Sequence, residues 1–226
     1  MKPFFIAGAM LLAGSLHAQT LKISGEVKGL TGPVYVMGNK ATNSTTDTIP
    51  VINGKFAAVI KVNKEPGRRS IMIGRYGFGT WVEPGELRIT GDASDMKSFS
   101  LAGTPTQDDR EKFDRQWDTS MLRMRKWYAE MAEDTTHDTK AVQKMAMSEA
   151  SAMRHKITVD FIRKHPDSYY SLFLLTEMQE DHQQQMDLYA MLTPRIKASA
   201  MGKEFSENIA ISKRSANGEK NYRLYT

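Results

Sequence analysis

Between Leu101 and Thr106 the spacing of apolar residues changes, and this change limits what the chain can fold into more than any other feature. Before it, apolar residues recur at alternate positions in short runs: Leu21, Ile23 and Val27 are interleaved with Lys22, Ser24 and Lys28. After it they recur every three or four positions, as Phe113, Trp117, Met121, Met124, Tyr128 and Met131. A period of two places side chains on one face of a strand, and a period near 3.6 places them on one face of a helix. The chain therefore predicts strands first and helices second, joined at Gly103-Thr104-Pro105.

The strand half is punctuated by turn residues. Val34 to Met37 follow a Thr31-Gly32-Pro33 turn, and "VINGKFAAVIKV" puts Asn53-Gly54 between two strands. Asn-Gly suits a two-residue hairpin because both residues tolerate positive φ. "SIMIGRY", "GTWVEPGELRITGD" and "FSLAG" continue the series, with Glu83-Pro84-Gly85-Glu86 as a further tight turn. Seven or eight antiparallel strands at this spacing predict a β-sandwich or a barrel over residues 19–103. Residues 104–214 predict four to five helices packed on it. Thr106 is expected to cap the first, with Asp108 and Asp109 in its first turn. A second helix is expected from Thr139 to Lys164, a third after Pro166 capped by Asp167 or Ser168, and shorter ones beyond, the last near Thr193-Pro194.

The first residues, "MKPFFIAGAMLLAGSLHAQT", carry Lys2, an apolar run from Phe4 to Leu12, and small residues around Ala18. This is the pattern of a secretory signal peptide over residues 1–18, so the expected location is the periplasm or cell envelope. Loss of Lys2 alone would take the net charge from +5 to +4. Both signs of charge are interspersed, which argues against the clustered footprint of a nucleic-acid binder. No later stretch reads as a membrane span. The chain holds no cysteine, which removes disulfides, thiolate nucleophiles and Cys-based metal sites together. No cofactor is expected.

Chemistry-bearing patterns are sparse. His155 and His165 lie ten positions apart with acids nearby, a spacing that fits solvated or helix-end histidines better than a metal pair. "GRYGFG", Gly74 to Gly79, has the glycines of a phosphate loop but no following helix, and reads as a hairpin turn. Asp108, Asp109 and Glu111 read as helix-start charges rather than a paired-acid site. The Met and aromatic stripe of the first helix reads as core rather than as a groove. Tyr76, Phe78 and Trp81 are the one candidate partner-facing patch, with inward packing as the alternative.

The order "LKISGEVKGLTGPVYV", "VINGKF", "VEPGELRITGD", "LAGTPTQDD", "FIRKHPDSYYSLFLL" and "LTPRIKASAMGKEF" resembles a family. It is the uncharacterised domain that precedes a thioredoxin-like domain in exported bacterial proteins of the alkyl hydroperoxide reductase and thiol-specific antioxidant superfamily. The resemblance covers about residues 20 to 218. It implies a β-sandwich followed by helices, attached to a thiol:disulfide oxidoreductase domain with a Cys-x-x-Cys site, and it brings no catalytic residues with it. No thioredoxin-like segment is present in this sequence, and residues 215–226 read as a disordered, linker-like tail. The expected function is a non-catalytic interaction module whose partner is a thioredoxin-like oxidoreductase or its protein substrate, or a truncated form of such a protein. The alternative is a hydrolase or carbohydrate-binding protein with a pocket between sandwich and helices.

Overall fold

Alternation governs the first half of the computed structural model, which describes residues 19–38, 45–132, 138–178 and 182–216. The eight strands are β1 (Thr20–Lys28), β2 (Val34–Val36), β3 (Asp47–Ile49), β4 (Lys55–Lys61), β5 (Gly67–Ile73), β6 (Tyr76–Val82), β7 (Gly85–Asp92) and β8 (Asp95–Ala102). They form two four-stranded sheets, in the orders β4-β1-β7-β8 and β3-β2-β5-β6. Alternate residues of each sheet face inward: Leu21, Ile23, Leu87 and Ile89 from one meet Val34, Val36, Ile71 and Ile73 from the other in a single buried cluster. The two sheets do not join into a closed barrel.

One pairing departs from the antiparallel expectation. β1 and β7 run parallel, from Leu21 opposite Gly85 to Lys28 opposite Asp92. The chain reaches this arrangement by crossing to the second sheet and back between them, which frees the pair from hairpin geometry. Gly25 marks the closest approach: a Cβ there would lie 2.4 Å from the Ile89 carbonyl oxygen and 2.4 Å from the Phe56 ring. The Asn53-Gly54 hairpin forms as expected, with φ of 52° and 75° and an Ile52–Lys55 bridge.

Six helices follow: α1 (Pro105–Ala132), α2 (Thr139–Lys164), α3 (Tyr169–Thr176), α4 (His182–Met191), α5 (Pro194–Lys197) and α6 (Ala200–Ala216). The last expected helix is divided, because Ala198 and Ser199 interrupt it before Ala200. Ser215 and Ala216 belong to α6, and the rest of the expected tail, like the expected signal peptide, lies outside the described residues. Asp138 Oδ1 accepts from Lys140 N at 2.9 Å to start α2, and Ser168 Oγ accepts from Tyr170 N at 3.1 Å to start α3. The helical core gathers Phe113, Phe161, Tyr170, Leu172, Leu188 and Ile196. Among the described residues no helix is long and apolar enough to cross a membrane.

Candidate functional site

Buried Glu83, Thr104, Thr106 and Gln107 come together where the sandwich meets the helices. Trp81 begins the junction. Its backbone belongs to β6, yet its indole is 3% exposed within the helical core, edge-on to Phe173 at 5.2 Å and Tyr170 at 6.3 Å. The outer edge of β6 has no strand beside it, and α1 side chains take that role. Trp81 N donates to Gln107 Oε1 at 3.0 Å, and Arg110 donates to the Gly79 carbonyl. An exposed strand edge is thereby closed to further pairing along its C-terminal half.

Two glutamates from sandwich loops then hold helix starts in the other half. Glu83, between β6 and β7, accepts from Thr106 N at 2.6 Å. Thr106 is therefore not the N-cap expected of it: α1 begins one residue earlier, at Pro105, which has no N–H, and the first free donor goes to Glu83. Glu65, between β4 and β5, accepts from Ala200 N through both oxygens, at 3.0 and 3.2 Å, and so caps α6. Burial pushes the Glu83 carboxyl above its ordinary range, the Thr106 bonds and Arg195 oppose this, and Asp109 adds to it. Asp167 closes the far side by accepting from Arg195 Nε at 3.0 and 3.2 Å. That partner, with Thr193, holds the Asp167 carboxyl below its usual range.

A cleft of about 450 Å³ opens beside this junction, between the β4 edge and β5, with Asp47, Val59, Lys61, Glu65, Arg68 and Arg69 among its walls. Asp47, Glu65, Arg68 and Arg69 are already engaged with other parts of the chain. Arg69 is buried, and its guanidinium donates to the carbonyls of Met37 at 2.8 Å, Val36 at 2.8 Å and Thr45 at 2.6 Å and to Asp47 Oδ2 at 3.1 Å. Arg68 lies over the Phe173 ring at 5.0 Å. Among the described residues that line the cleft none is aromatic, so a stacking platform for a sugar ring is lacking.

The three-residue aromatic patch divides. Tyr76 and Phe78 share the inward face of β6 at the sandwich rim and are half-buried against Phe99, at 5.9 and 4.8 Å between ring centres. Arg75 covers Tyr76 from outside at 5.0 Å, and the Tyr76 hydroxyl donates to the Ser94 carbonyl at 3.3 Å. Trp81 stands an odd number of positions away, so alternation turns it to the opposite face, where α3 packs. The paired-acid candidates also separate: Asp108 accepts from Gly103 N at 2.7 Å, Asp109 pairs with Lys112 at 2.9 Å, and Glu111 accepts from Gln107 Nε2 at 2.9 Å. His165 stacks on Phe161 at 4.3 Å, whereas His155 faces Gln184 at 3.4 Å. Among the described residues no three His, Asp or Glu side chains converge as metal ligands would. The "GRYGFG" stretch is the β5–β6 hairpin, with Gly74 at φ 57°.

Glu65, Glu83 and Gln107 were not singled out from the sequence for these roles. Their partners are 135, 23 and 26 positions away, so no local spacing announces them. A family model described as a domain of unknown function (DUF4369) matches residues 21–110, which span the sandwich and the opening turns of α1. No curated protein matches the chain.

Proposed function

We propose that the chain is a non-catalytic module of the bacterial cell envelope that docks a thioredoxin-like oxidoreductase or that enzyme's protein substrate. The observation that carries this reading is the use made of the polar groups at the junction. Buried Glu83, Gln107 and Arg69 and half-buried Glu65 each join one segment to another through the bonds described above, and none is paired with a neighbour as a base is with a nucleophile. The missing cysteine and the match to a domain with no assigned activity support it further. Tyr76, half-buried at the sandwich rim, is the residue of that patch left for a partner to reach on this reading, since Phe78 packs on the sandwich core and Trp81 is enclosed by the helices.

The test uses the chain without residues 1–18 and an exported thioredoxin-like oxidoreductase in its reduced and oxidised forms. Alone, the chain reduces no insulin disulfide and turns over no peroxide with a thiol donor, because thiol exchange requires a thiolate. Calorimetric titration against the oxidoreductase gives saturable binding that Tyr76→Ala weakens at least about fivefold, roughly 1 kcal/mol. Absence of binding to both redox forms, or thiol-independent turnover by the chain alone, overturns the proposal.

A further inference from the structure

We propose that the outer half of the α1–α2 hairpin is an oxidant-sensitive arm, in which conversion of methionine to methionine sulfoxide separates the two helices. The packing there is thin. From 140 to 156, α2 contains no buried residue, and among the described residues of α1 beyond Phe113 only Met124 is buried, at 7% exposed. The two helices contact each other, and the half-buried apolar side chains along them include Trp117, Met121, Tyr128 and Met131 on α1 and Val142, Ala146 and Met153 on α2. Methionine is thus the commonest large apolar residue among the buried and half-buried side chains of the arm. Met153, like Met178 and Met201, also flanks the core of leucine, isoleucine and aromatic rings, so it marks the inner end of the arm.

The arm also offers oxidants a way in. Met147 is 77% exposed and Met145 is 38% exposed, both on its outer surface. A peroxide transfers one oxygen atom to the thioether sulfur: the sulfur loses two electrons, the O–O bond breaks, and water leaves with hydrogen peroxide as oxidant. The chain has no cysteine to intercept the oxidant first. Sulfoxides on outward-facing Met147 change little, because the new dipole stays in water. Sulfoxides on Met121, Met124, Met131 and Met153 place strong acceptors in a thinly packed strip where the buried donor without a partner is the Tyr128 hydroxyl, too little to satisfy several sulfoxides at once, and the stretch of the hairpin beyond the core contacts of Met153 has little stability to lose. This reading is independent of whether the chain docks an oxidoreductase.

The experiment treats the chain lacking residues 1–18 with graded hydrogen peroxide and follows sulfoxide at each methionine by peptide mass spectrometry. Helical circular dichroism and cleavage by a low dose of protease are read in parallel. Met147 is expected to oxidise at least about tenfold faster than Met124 with no structural change. As Met121, Met131 and Met153 follow, roughly a third of the helical signal is lost and cleavage concentrates within residues 117–156, consistent with local opening. A variant with Met121→Leu, Met124→Leu, Met131→Leu and Met153→Leu, which keeps side-chain volume, retains its helical signal under the same dose. A methionine sulfoxide reductase with a thiol donor restores the wild-type signal, which separates the effect from irreversible damage. If the arm methionines are fully oxidised while helicity and cleavage stay unchanged, or if the leucine variant opens just as readily, the proposal is overturned.

Discussion

Replacing Trp81 with alanine tests whether the sandwich and the helices form one cooperative unit. The indole is donated by β6 and enclosed by α3, so its loss removes packing between two halves that have different secondary structure. Truncating a buried tryptophan costs about 3–5 kcal/mol, which includes the edge-to-face contacts with Phe173 and Tyr170. Domains are stable by only about 5–15 kcal/mol, so this is a large share of the total. In a chain of this length each kcal/mol moves the midpoint by about 2–4 °C, and the expected drop is about 6–20 °C. The Gln107 bond to Trp81 N survives the change, because it is made to the backbone.

Urea unfolding supplies the measurement. Trp117 and Trp127 report on α1, and a Tyr35→Trp reporter in β2 reports on the sandwich, since Tyr35 is 40% exposed and tolerates a larger ring. In the parent and in Trp81→Ala the two signals should move together, with the midpoint lowered equally for both. A loss under about 1 kcal/mol would show that the helices do not depend on the indole. A helical transition that shifts while the β2 reporter stays in place would show that the two halves unfold independently, and the reasoning above would fail.

Glu83 at the junction and Gly25 inside the sandwich give two further outcomes. Because burial raises the folded-state pKa of Glu83, its contribution to stability is fully present below the ordinary carboxyl pKa and is lost as pH rises through the folded value; Glu83→Gln, which keeps an acceptor for Thr106 N, should flatten that part of the stability–pH curve and match or exceed the parent at pH 7, while Glu83→Ala should lose about 0.5–2 kcal/mol of helix capping. Gly25→Ala should destabilise by about 1–3 kcal/mol in chemical unfolding, because the added methyl meets the Ile89 carbonyl and the Phe56 ring inside the parallel pair; an unchanged midpoint would contradict the close approach.

The parts of the fold that could be read from sequence are those whose cause is local. The change of period at Gly103-Thr104-Pro105 marks the true boundary between strands and helices because each side of it follows its own geometry. Asn53-Gly54 makes its hairpin, α2 runs over the expected Thr139–Lys164, and Ser168 caps α3, each for reasons contained within a few residues. Parity within β6 was equally available: Tyr76 and Phe78 share a face and Trp81 does not, yet all three join one patch when aromatic character is weighed before alternation.

What could not be read depends on pairs of residues brought together from far apart. The parallel β1–β7 pair is fixed by packing across the whole sandwich, and Gly25 shows only afterwards where two backbones and an aromatic ring crowd. The junction is the clearest case. Glu83 looks like part of a turn and Glu65 like one charge in a loop, because a carboxylate announces a cap only when it precedes its own helix by a position or three. Here each one reaches the start of a helix in the other half, so the code for joining sandwich to helices is written as acceptors in one segment and unsatisfied N–H groups in another. The junction thus has the composition of an active site, with the buried Glu83 carboxyl, arginine and tyrosine close together, while its hydrogen bonds run from one segment of the chain to another.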